Sequence, residues 1–417
     1  MIYRLNNVEI VDPTSPWNRK IKDIIIKNGK ILEANSEVSS VKVIDAKGWI
    51  MMPGLCETYA SIGDPGFEYR EDIQSLTEAA IKGGVTSVCA IADTEPVTQH
   101  KTQIEYLVKN TKGNIVEIWP IGAITEGLKG KNPTEMFDMH QAGAVAFSDA
   151  PHSVHNSGVM MRALQYVSPF NGVIYSVPLD EDLVGEGQIN EGKTSVVMGM
   201  KGISNLSESL QIYRDLSLLE YTEGNLHFTG VSTAEGVELI REAKKKGLQV
   251  TASAYLHHLL FDESEVSEFD TNFKVIPPLR TQKDVKALFK GLKDGTIDMI
   301  STQHIPLDVE SKRLEFEYAT PGMANIEFAF PLAMKALGDI EKVVQLMSIA
   351  PRKLFQKDII SIHEGEKANF ILVDPKDKST VKASQRKSKS SNSPYFGVEL
   401  TGSVKAVFNN GQIEWND

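Results

Sequence analysis

Both ends of the chain carry the hydrophobic spacing of β-strands. Short segments there mix alternating apolar and polar positions with β-branched residues, the pattern of half-buried strands. The predicted strands are Ile2–Ile10, Lys22–Ile31, Val41–Ile44, Trp49–Pro53, Ala368–Asp374 and Ser403–Asn409. Asn410-Gly411 is typical of a hairpin, because Asn and Gly both accept positive φ. We predict a small β-sandwich assembled from residues 1–50 and 361–417.

The middle of the chain, residues 51–360, alternates short apolar runs with segments of helical periodicity. The predicted strands are Trp49–Tyr59, Val85–Ala92, Ile115–Ile121, Ala144–Ser148, Val173–Val177, Leu226–Val231, Leu248–Ala254 and Met299–Thr302. Eight strands separated by helices favour a closed parallel barrel. The predicted fold class is therefore α/β, a (β/α)8 TIM barrel. An open doubly wound sheet ranks second, because no glycine-rich phosphate loop follows the first strand.

Three of the intervening helices have start or stop signals. Ile73, Leu76 and Ala80 recur at i, i+3 and i+7, preceded by acidic Glu71 and Asp72 and followed by two glycines. Asn132 is predicted as an N-cap, with Pro133 at the first helical position. The segment Thr233–Gly247 combines apolar periodicity with a Lys-rich last turn and a glycine stop.

Composition narrows the class of protein. The chain has 417 residues, 41% of them hydrophobic, and its formal net charge is −11, which disfavours nucleic acid as a partner. Two cysteines, Cys56 and Cys89, make no disulfide framework. The amino terminus has no basic segment followed by an apolar run, and no apolar stretch is long enough to span a membrane. We expect a cytoplasmic protein without a membrane partner.

The carboxyl ends of the barrel strands are where chemistry is expected. On the first strand, Tyr59 and Ser61 are two residues apart and point to the same side. A metal site at this spacing calls for two imidazoles. A phenol and an alcohol are not among the usual ligands of zinc.

Seven segments strongly resemble the dihydroorotase branch of the amidohydrolase superfamily. They are MMPGLCETYASIGDPGFEYREDIQSLTEAAIKGGVTSV (51–88), FSDAPHSV (147–154), LHFTGVSTAEGVELIREAKKKGLQVTA (226–252), LHHLLFDE (256–263), KVIPPLR (274–280), STQHIPL (301–307) and SKSSNSPYFGVELTG (388–402). The resemblance covers nearly the whole chain in order. It implies a metal-bearing barrel with a β-sandwich, and interconversion of carbamoyl aspartate and dihydroorotate in pyrimidine biosynthesis.

The residues that perform this family's chemistry are replaced here. The positions that match its metal ligands, substrate-binding residues and general base are Tyr59, Ser61, Gly63, Asp93, Ala150, Ser176, Gly230, Ile276, Gln303 and Leu307. If the alignment at the bridging carboxylate is shifted by one residue, Asp149 takes the place of Ala150.

These replacements remove each part of the family reaction. Zinc needs about three or four donors, and Gly230 and Ala150 offer none. Without metals the attacking water keeps a pKa near 15.7, and Gln303 cannot act as a carboxylate base. Gly63 cannot bind a carboxylate as an arginine does. We predict a catalytically inactive homologue with no catalytic residue, no metal and no other cofactor.

Several polar residues remain near the predicted strand ends. Asp149 and His304 are the residual candidates for chemistry, with hydrogen bonding in a loop or cap as the alternative. His152 and His155 are expected to be a solvated pair, with a new metal site as the alternative. The remaining expectations concern structure: His257 and His258 stabilise the barrel top, Tyr59 fills the emptied pocket with Tyr175 or Tyr255 beside it, and Lys376–Ser393 is a solvated loop.

Three functional hypotheses follow. Inactive chains of this family associate with aspartate transcarbamoylase, so the resemblance implies an assembly subunit of that enzyme, and we also expect a homo-oligomer. The alternative is an active dihydroorotase or related cyclic-amide hydrolase, with zinc held by His152, His155, Asp149 or His304. The third is a metal-free binding protein for a pyrimidine precursor, which the loss of substrate-binding residues disfavours.

Overall fold

The first five strands of the chain belong to one β-sheet. The computed structural model describes residues 2–33 and 41–416. Its first strands are β1 (Ile2–Ile10), β2 (Ile21–Lys27), β3 (Lys30–Glu33), β4 (Val41–Asp45) and β5 (Ile50–Pro53). The run predicted as one strand over Trp49–Tyr59 is two strands, because β5 pairs with β1 and the segment after Gly54 enters a different sheet.

A barrel of parallel strands occupies the middle of the chain. Its strands and an added two-stranded ribbon (β11, β12) are β6 (Leu55–Ala60), β7 (Val85–Ala90), β8 (Glu117–Gly122), β9 (Ala146–Phe147), β10 (Ile174–Ser176), β11 (Ile189–Asn190), β12 (Gly202–Ile203), β13 (Leu226–Phe228), β14 (Val250–Tyr255) and β15 (Met299–Ser301). Ser61 N–H donates to His304 O at 2.9 Å and His304 N–H donates to Tyr59 O at 3.0 Å, which joins the last strand region to the first. The predicted (β/α)8 barrel is confirmed.

Strands from the carboxyl terminus complete the amino-terminal sheet. They are β16 (Phe370–Thr380), β17 (Glu399–Asn409) and β18 (Gln412–Trp415). The sheet order is β18-β17-β16-β5-β1-β2-β3, with β4 beside β1. The rings of Tyr3 on β1 and Phe408 on β17 lie 6.1 Å apart although two strands separate them in that order, so the sheet curls around an apolar core. Both chain ends build this β-rich unit, as the strand patterns predict.

Helices separate the barrel strands and cover its outside. They are α1 (Ile73–Gly83), α2 (Lys101–Asn110), α3 (Met136–Ala142), α4 (Ser157–Val167), α5 (Glu181–Val184), α6 (Lys193–Met198), α7 (Leu206–Thr222), α8 (Ala234–Lys245), α9 (Leu256–Leu260), α10 (Gln282–Asp294), α11 (Val309–Lys312), α12 (Ala329–Leu337), α13 (Ile340–Val344) and α14 (Ala350–Leu354). Asp72 caps α1 by accepting from Ser75 N–H at 2.8 Å, and Thr233 caps α8. These two helices begin where the sequence signals predict.

The predicted start of α3 at Asn132 is wrong. The helix begins at Met136, because Thr134 is bound to the segment that follows β8. The Thr134 hydroxyl donates to Ala123 O at 2.6 Å and its N–H donates to Ile124 O at 2.9 Å. These contacts hold residues 132–134 outside the helix.

The prediction of a solvated loop over Lys376–Ser393 is confirmed for residues 381–387, which lie outside the strands and are mostly exposed, and is wrong at both ends of the segment. Strand β16 continues to Thr380, and Ser388, Asn392 and Ser393 are buried. The Asn392 side-chain amide donates to Ile305 O at 2.9 Å and to Gly322 O at 3.1 Å. The second half of this segment therefore packs onto the loops that follow the last barrel strand.

Candidate functional site

Three tyrosine rings occupy the barrel interior near the strand ends. Tyr59, Tyr175 and Tyr255 are buried in one apolar cluster. The rings of Tyr59 and Tyr255 meet edge to face at 5.7 Å, and the Tyr175 hydroxyl donates to Thr58 O at 2.8 Å. Burial raises the pKa of all three phenols, so each stays protonated at neutral pH. Aromatic carbon thus fills space where a hydrolytic metal centre needs ligands and water.

Gly230 and Tyr255 fit each other. Gly230 has φ +71°, and a Cβ at this position would lie 2.3 Å from Cε2 of the Tyr255 ring. The Tyr255 hydroxyl is held 3.1 Å from the hydroxyl of Thr229. The ring therefore takes the space into which a side chain at position 230 would project.

Ser61, Gly63 and Asp93 lie after the first two barrel strands. Burial raises the pKa of the Asp93 carboxyl group to about 7, and a hydrogen bond from the Ser61 hydroxyl opposes this rise. Within the described residues, Asp93 Oδ1 has no hydrogen-bond partner. A Cβ at Gly63, where φ is +69°, would lie 2.3 Å from Glu71 O, so the backbone leaves no space for a larger residue.

Ser176, at the end of β10, is engaged in a buried polar contact. Its hydroxyl donates to Asp215 Oδ2 at 2.8 Å, and Arg214 pairs with the other oxygen of Asp215 at 2.5 Å. Burial raises the pKa of Asp215, opposed by Arg214 and by Ser176. The hydroxyl is used to hold helix α7 against the barrel.

Asp149 is committed to a loop. One of its oxygens accepts from the N–H groups of Ile124 and Thr125 at 2.9 and 2.8 Å, and the other accepts from the Thr125 hydroxyl. Burial raises the pKa of Asp149, and these hydrogen bonds oppose the rise. Asp149 anchors the segment after β8, which is the loop role expected as the alternative to chemistry. Its neighbour Ala150 is buried in the apolar cluster.

Gln303 and His304, after the last barrel strand, are held by structural contacts. The Gln303 amide donates to Ile276 O at 2.9 Å, while its carbonyl oxygen has no partner within the described residues. His304 is buried, with Nε2 3.3 Å from Glu71 Oε2. Leu307 is buried as well and its N–H donates to Asn392 at 3.2 Å.

His152 and His155 converge on one carboxylate. His152 Nδ1 lies 3.2 Å from one oxygen of Glu181, and His155 Nε2 lies 3.3 Å from the other. The bond to His152 lowers the pKa of Glu181 to about 2, and the same bond raises the pKa of His152. All three side chains are partly exposed, so the pair is a surface cluster with an acidic partner that the sequence did not reveal.

His257 and His258 pack together at the barrel top with their rings 4.4 Å apart. His258 Nε2 lies 2.9 Å from Pro277 O, but neither ring nitrogen of His257 has a partner within the described part of the chain. Burial lowers the pKa of both imidazoles, which keeps them neutral. Hydrogen bonding at the barrel top thus involves only His258 of this pair.

The zinc implied by the family resemblance does not fit these residues. Gly230 and Ala150 carry no donor, and Ser176, Gln303 and Asp149 are already bound to protein groups. Across residues 2–33 and 41–416, no group of three or more His, Cys, Asp or Glu side chains is arranged to hold a metal ion. The strand ends show hydrogen-bonded and apolar groups in place of a zinc ligand set.

Sequence reasoning missed Glu57, a buried carboxylate at the junction of the first and last barrel strands. It accepts from Tyr59 N–H at 2.8 Å, from Thr302 N–H at 2.8 Å and from the Ser301 hydroxyl. Burial raises its pKa, and these hydrogen bonds oppose the rise. A lone acidic residue inside the apolar run of β6 is the signal that identifies such a group.

The barrel and its curled sheet form an amidohydrolase-type fold. Residues 225–413 match the amidohydrolase family model. The structure is similar to L-hydantoinase (dihydropyrimidinase) from Arthrobacter aurescens, with a TM-score of 0.84 over 100% of this chain and 97% of that chain, and at 23% sequence identity this likeness shows the fold. Among described residues, no helix has the length and apolar character needed to cross a membrane.

Sequence comparisons identify the branch within that class. Residues 48–236 match the dihydro-orotase-like family model. A dihydroorotase of Acetivibrio thermocellus is 40% identical over 412 residues, covering 97% of this chain and 96% of that protein. A dihydroorotase of Ruminiclostridium cellulolyticum is 40% identical over 406 residues, covering 95% of each. The chain belongs to the dihydroorotase family.

Proposed function

We propose that this chain is a cytoplasmic dihydroorotase-family protein of pyrimidine biosynthesis that binds no zinc and supports the assembly of aspartate transcarbamoylase. The observation that carries the proposal is the Tyr255 ring in the space beside Gly230. A site that has only lost ligands leaves a void, whereas here a buried aromatic ring takes up the space. This supports a barrel maintained for its shape.

The chemistry of the remaining groups also supports a non-catalytic role. Hydrolysis of a cyclic amide at neutral pH needs an activated water and a group that accepts its proton, and the reverse cyclisation, which releases that water, uses the same groups. Gln303 has no basic oxygen, and Asp149 is bound by three donors in a loop. The carboxyl group of Asp93 titrates near neutral pH, but the described residues place no metal-ligand cluster beside it to activate water.

An assembly role requires an intact outer surface and a rigid barrel. Two observations support this role: the match to a dihydroorotase extends over 97% of this chain, and the replaced catalytic positions of the family lie at the strand ends. Glu57 joins the first and last barrel strands through hydrogen bonds to Tyr59 and Thr302. Aspartate transcarbamoylase is the partner we propose.

A second candidate function is an active dihydroorotase with a reorganised metal site. The names of the two relatives at 40% identity favour it, and the imidazoles it would use are His152 and His155, which here pair with Glu181. In this alternative these side chains, with Asp149 or His304, would hold zinc in place of the ligands that are missing from the strand ends.

Metal analysis and turnover distinguish the two candidates. The purified chain, loaded with zinc and then dialysed, is assayed with carbamoyl aspartate and with dihydroorotate. We expect substoichiometric zinc and no turnover above the protein-free blank. Stoichiometric zinc with turnover, both lost in the double variant His152→Ala/His155→Ala, would overturn the non-catalytic proposal.

The partnership is tested separately by mixing the purified chain with its cognate aspartate transcarbamoylase. Size-exclusion chromatography with light scattering should show one complex containing both proteins. Separate elution of the two proteins at high concentration would reject the assembly role, whatever the metal analysis shows.

A further inference from the structure

Helix α7 exposes apolar side chains and buries polar ones. Its buried positions include Glu208, Gln211 and Asp215. The exposed fractions of its outward apolar residues are 57% for Leu206, 49% for Leu210, 63% for Tyr213 and 74% for Tyr221. A helix on the surface of a water-soluble barrel normally has the opposite arrangement. Glu220 is the one charged residue among the fully exposed positions of this completely described helix.

The buried polar residues of α7 bind neighbouring elements of the barrel. The exposed apolar residues take no part in these contacts and need a separate explanation. Glu208 accepts from the N–H groups of Ser232 and Thr233 and from the Thr233 hydroxyl, which fixes the start of α8. Asp215 binds Ser176 at the end of β10. These contacts set the rotation of α7 about its axis, and that rotation directs the leucines and tyrosines to the surface.

The exposed residues form one stripe. Successive residues of an α-helix are about 100° apart, so positions 206, 210, 213 and 221 lie within about a quarter of the circumference and extend over about 22 Å. Ser217, which falls in the same stripe, turns its hydroxyl back to Tyr213 O at 2.9 Å. Short helix α5 packs beside α7 and adds the exposed Leu183.

We propose that this stripe of α7, defined by Leu206, Leu210, Tyr213 and Tyr221, is the contact surface for a second copy of the chain in an antiparallel, two-fold symmetric pair. A stripe centred on one helix is complementary to itself under a two-fold rotation, as isologous interfaces require. With the axis near Tyr213, Leu206 of each copy packs against Tyr221 of the other.

The exposed area agrees with an interface between two copies. The four side chains together leave about 450 Å² of apolar surface in contact with water, a patch large enough to mark an interaction site. A stable interface buries about 800 Å² on each partner, with somewhat more than half of it apolar. The stripe supplies about that apolar share.

The charges of α7 favour the antiparallel direction. Glu223 lies at the carboxyl end, where the helix dipole is negative and an acidic group is unfavourable, and its neighbour Glu220 pairs with Lys246 at 3.2 Å. At the other end, the N-cap Asn205 makes no side-chain cap bond. An antiparallel pair brings the carboxyl end of one helix, with Glu223, to the positive amino end of the other, whereas a parallel pair would bring the two carboxyl ends together.

Sedimentation velocity of the full chain over a range of concentrations tests the pair. We expect a dimer whose dissociation constant rises at least about 20-fold in Tyr213→Glu, since burying an unpaired charge at the centre removes a principal contact. The matched control is Tyr318→Glu, because Tyr318 is similarly exposed but lies elsewhere. It should dimerise like the unmodified chain, and circular dichroism should show both variants folded.

Cross-linking tests the position of the axis independently of stability. The native Cys56 and Cys89 are buried, so a new surface thiol reports on the interface. Oxidised Tyr213→Cys should form a covalent dimer, and Tyr318→Cys should not. A monomer at every concentration, or a dimer unaffected by Tyr213→Glu, would overturn the proposal. A chain that is monomeric alone but binds aspartate transcarbamoylase through Tyr213 would also overturn it, and would assign the stripe to that partner.

Discussion

Replacing Gly230 by alanine tests whether the Tyr255 ring occupies the space beside position 230, where the family resemblance places a metal ligand. Two costs add. The backbone at φ +71° disfavours any residue with a Cβ by about 1 kcal/mol. The new Cβ would also lie 2.3 to 2.7 Å from three atoms of the buried ring, and such overpacking costs about 1–3 kcal/mol because the ring must move. We expect Gly230→Ala to lower the free energy of unfolding by about 2–4 kcal/mol.

Gly295→Ala is the matched control for this measurement. Gly295 has φ +77°, and a Cβ there would meet no other described atom within 4 Å, so its substitution carries the backbone cost alone. Guanidinium unfolding followed by circular dichroism gives both free energies. In a Tyr255→Ala background, Gly230→Ala should cost no more than the control substitution. Equal losses for Gly230→Ala and Gly295→Ala in the unmodified background would refute the assignment of this space to Tyr255.

Three further outcomes follow from the contacts described. Glu181→Gln should move the pKa of His152, measured by NMR, down toward 6.5. The free energy of unfolding lost in this variant should be greatest near pH 5–6 and should fade as the pH rises through the raised pKa of His152. A loss that does not change with pH would contradict the pairing. Asp149→Ala should cost about 2–4 kcal/mol of stability by leaving loop N–H groups unpaired, and a neutral effect in urea unfolding would reject its anchoring role. Glu57→Gln should cost a similar amount, about 2–4 kcal/mol, because Tyr59 N–H and Thr302 N–H bind different oxygens of the carboxylate and an amide has only one oxygen. An unchanged free energy of unfolding would show that Glu57 does not hold the barrel closed.

The fold class, the bounds of β1 and the starts of two helices follow closely from the sequence, whereas Lys22–Ile31, predicted as one strand, is the hairpin of β2 and β3 with a turn at residues 28–29. Alternation and β-branching predict β1 to the residue, and Asp72 and Thr233 mark the starts of α1 and α8. These signals are local, since a strand period or a cap depends on residues a few positions apart. The predicted start of α3 is wrong because Thr134 is bound to Ala123, which is 11 residues away and beyond the range of a local signal.

The same contrast between local signals and distant contacts applies to the candidate site. The sequence by itself determined which groups stand at the strand ends, and therefore that Gly230 and Ala150 offer no ligand. Only the tertiary structure decided that the Tyr255 ring lies beside Gly230, that Glu181 joins the two histidines, and that α7 turns its apolar stripe outward. Each of these depends on packing between segments far apart in the chain, where the rotation of a helix or ring is set by partners that no local pattern identifies.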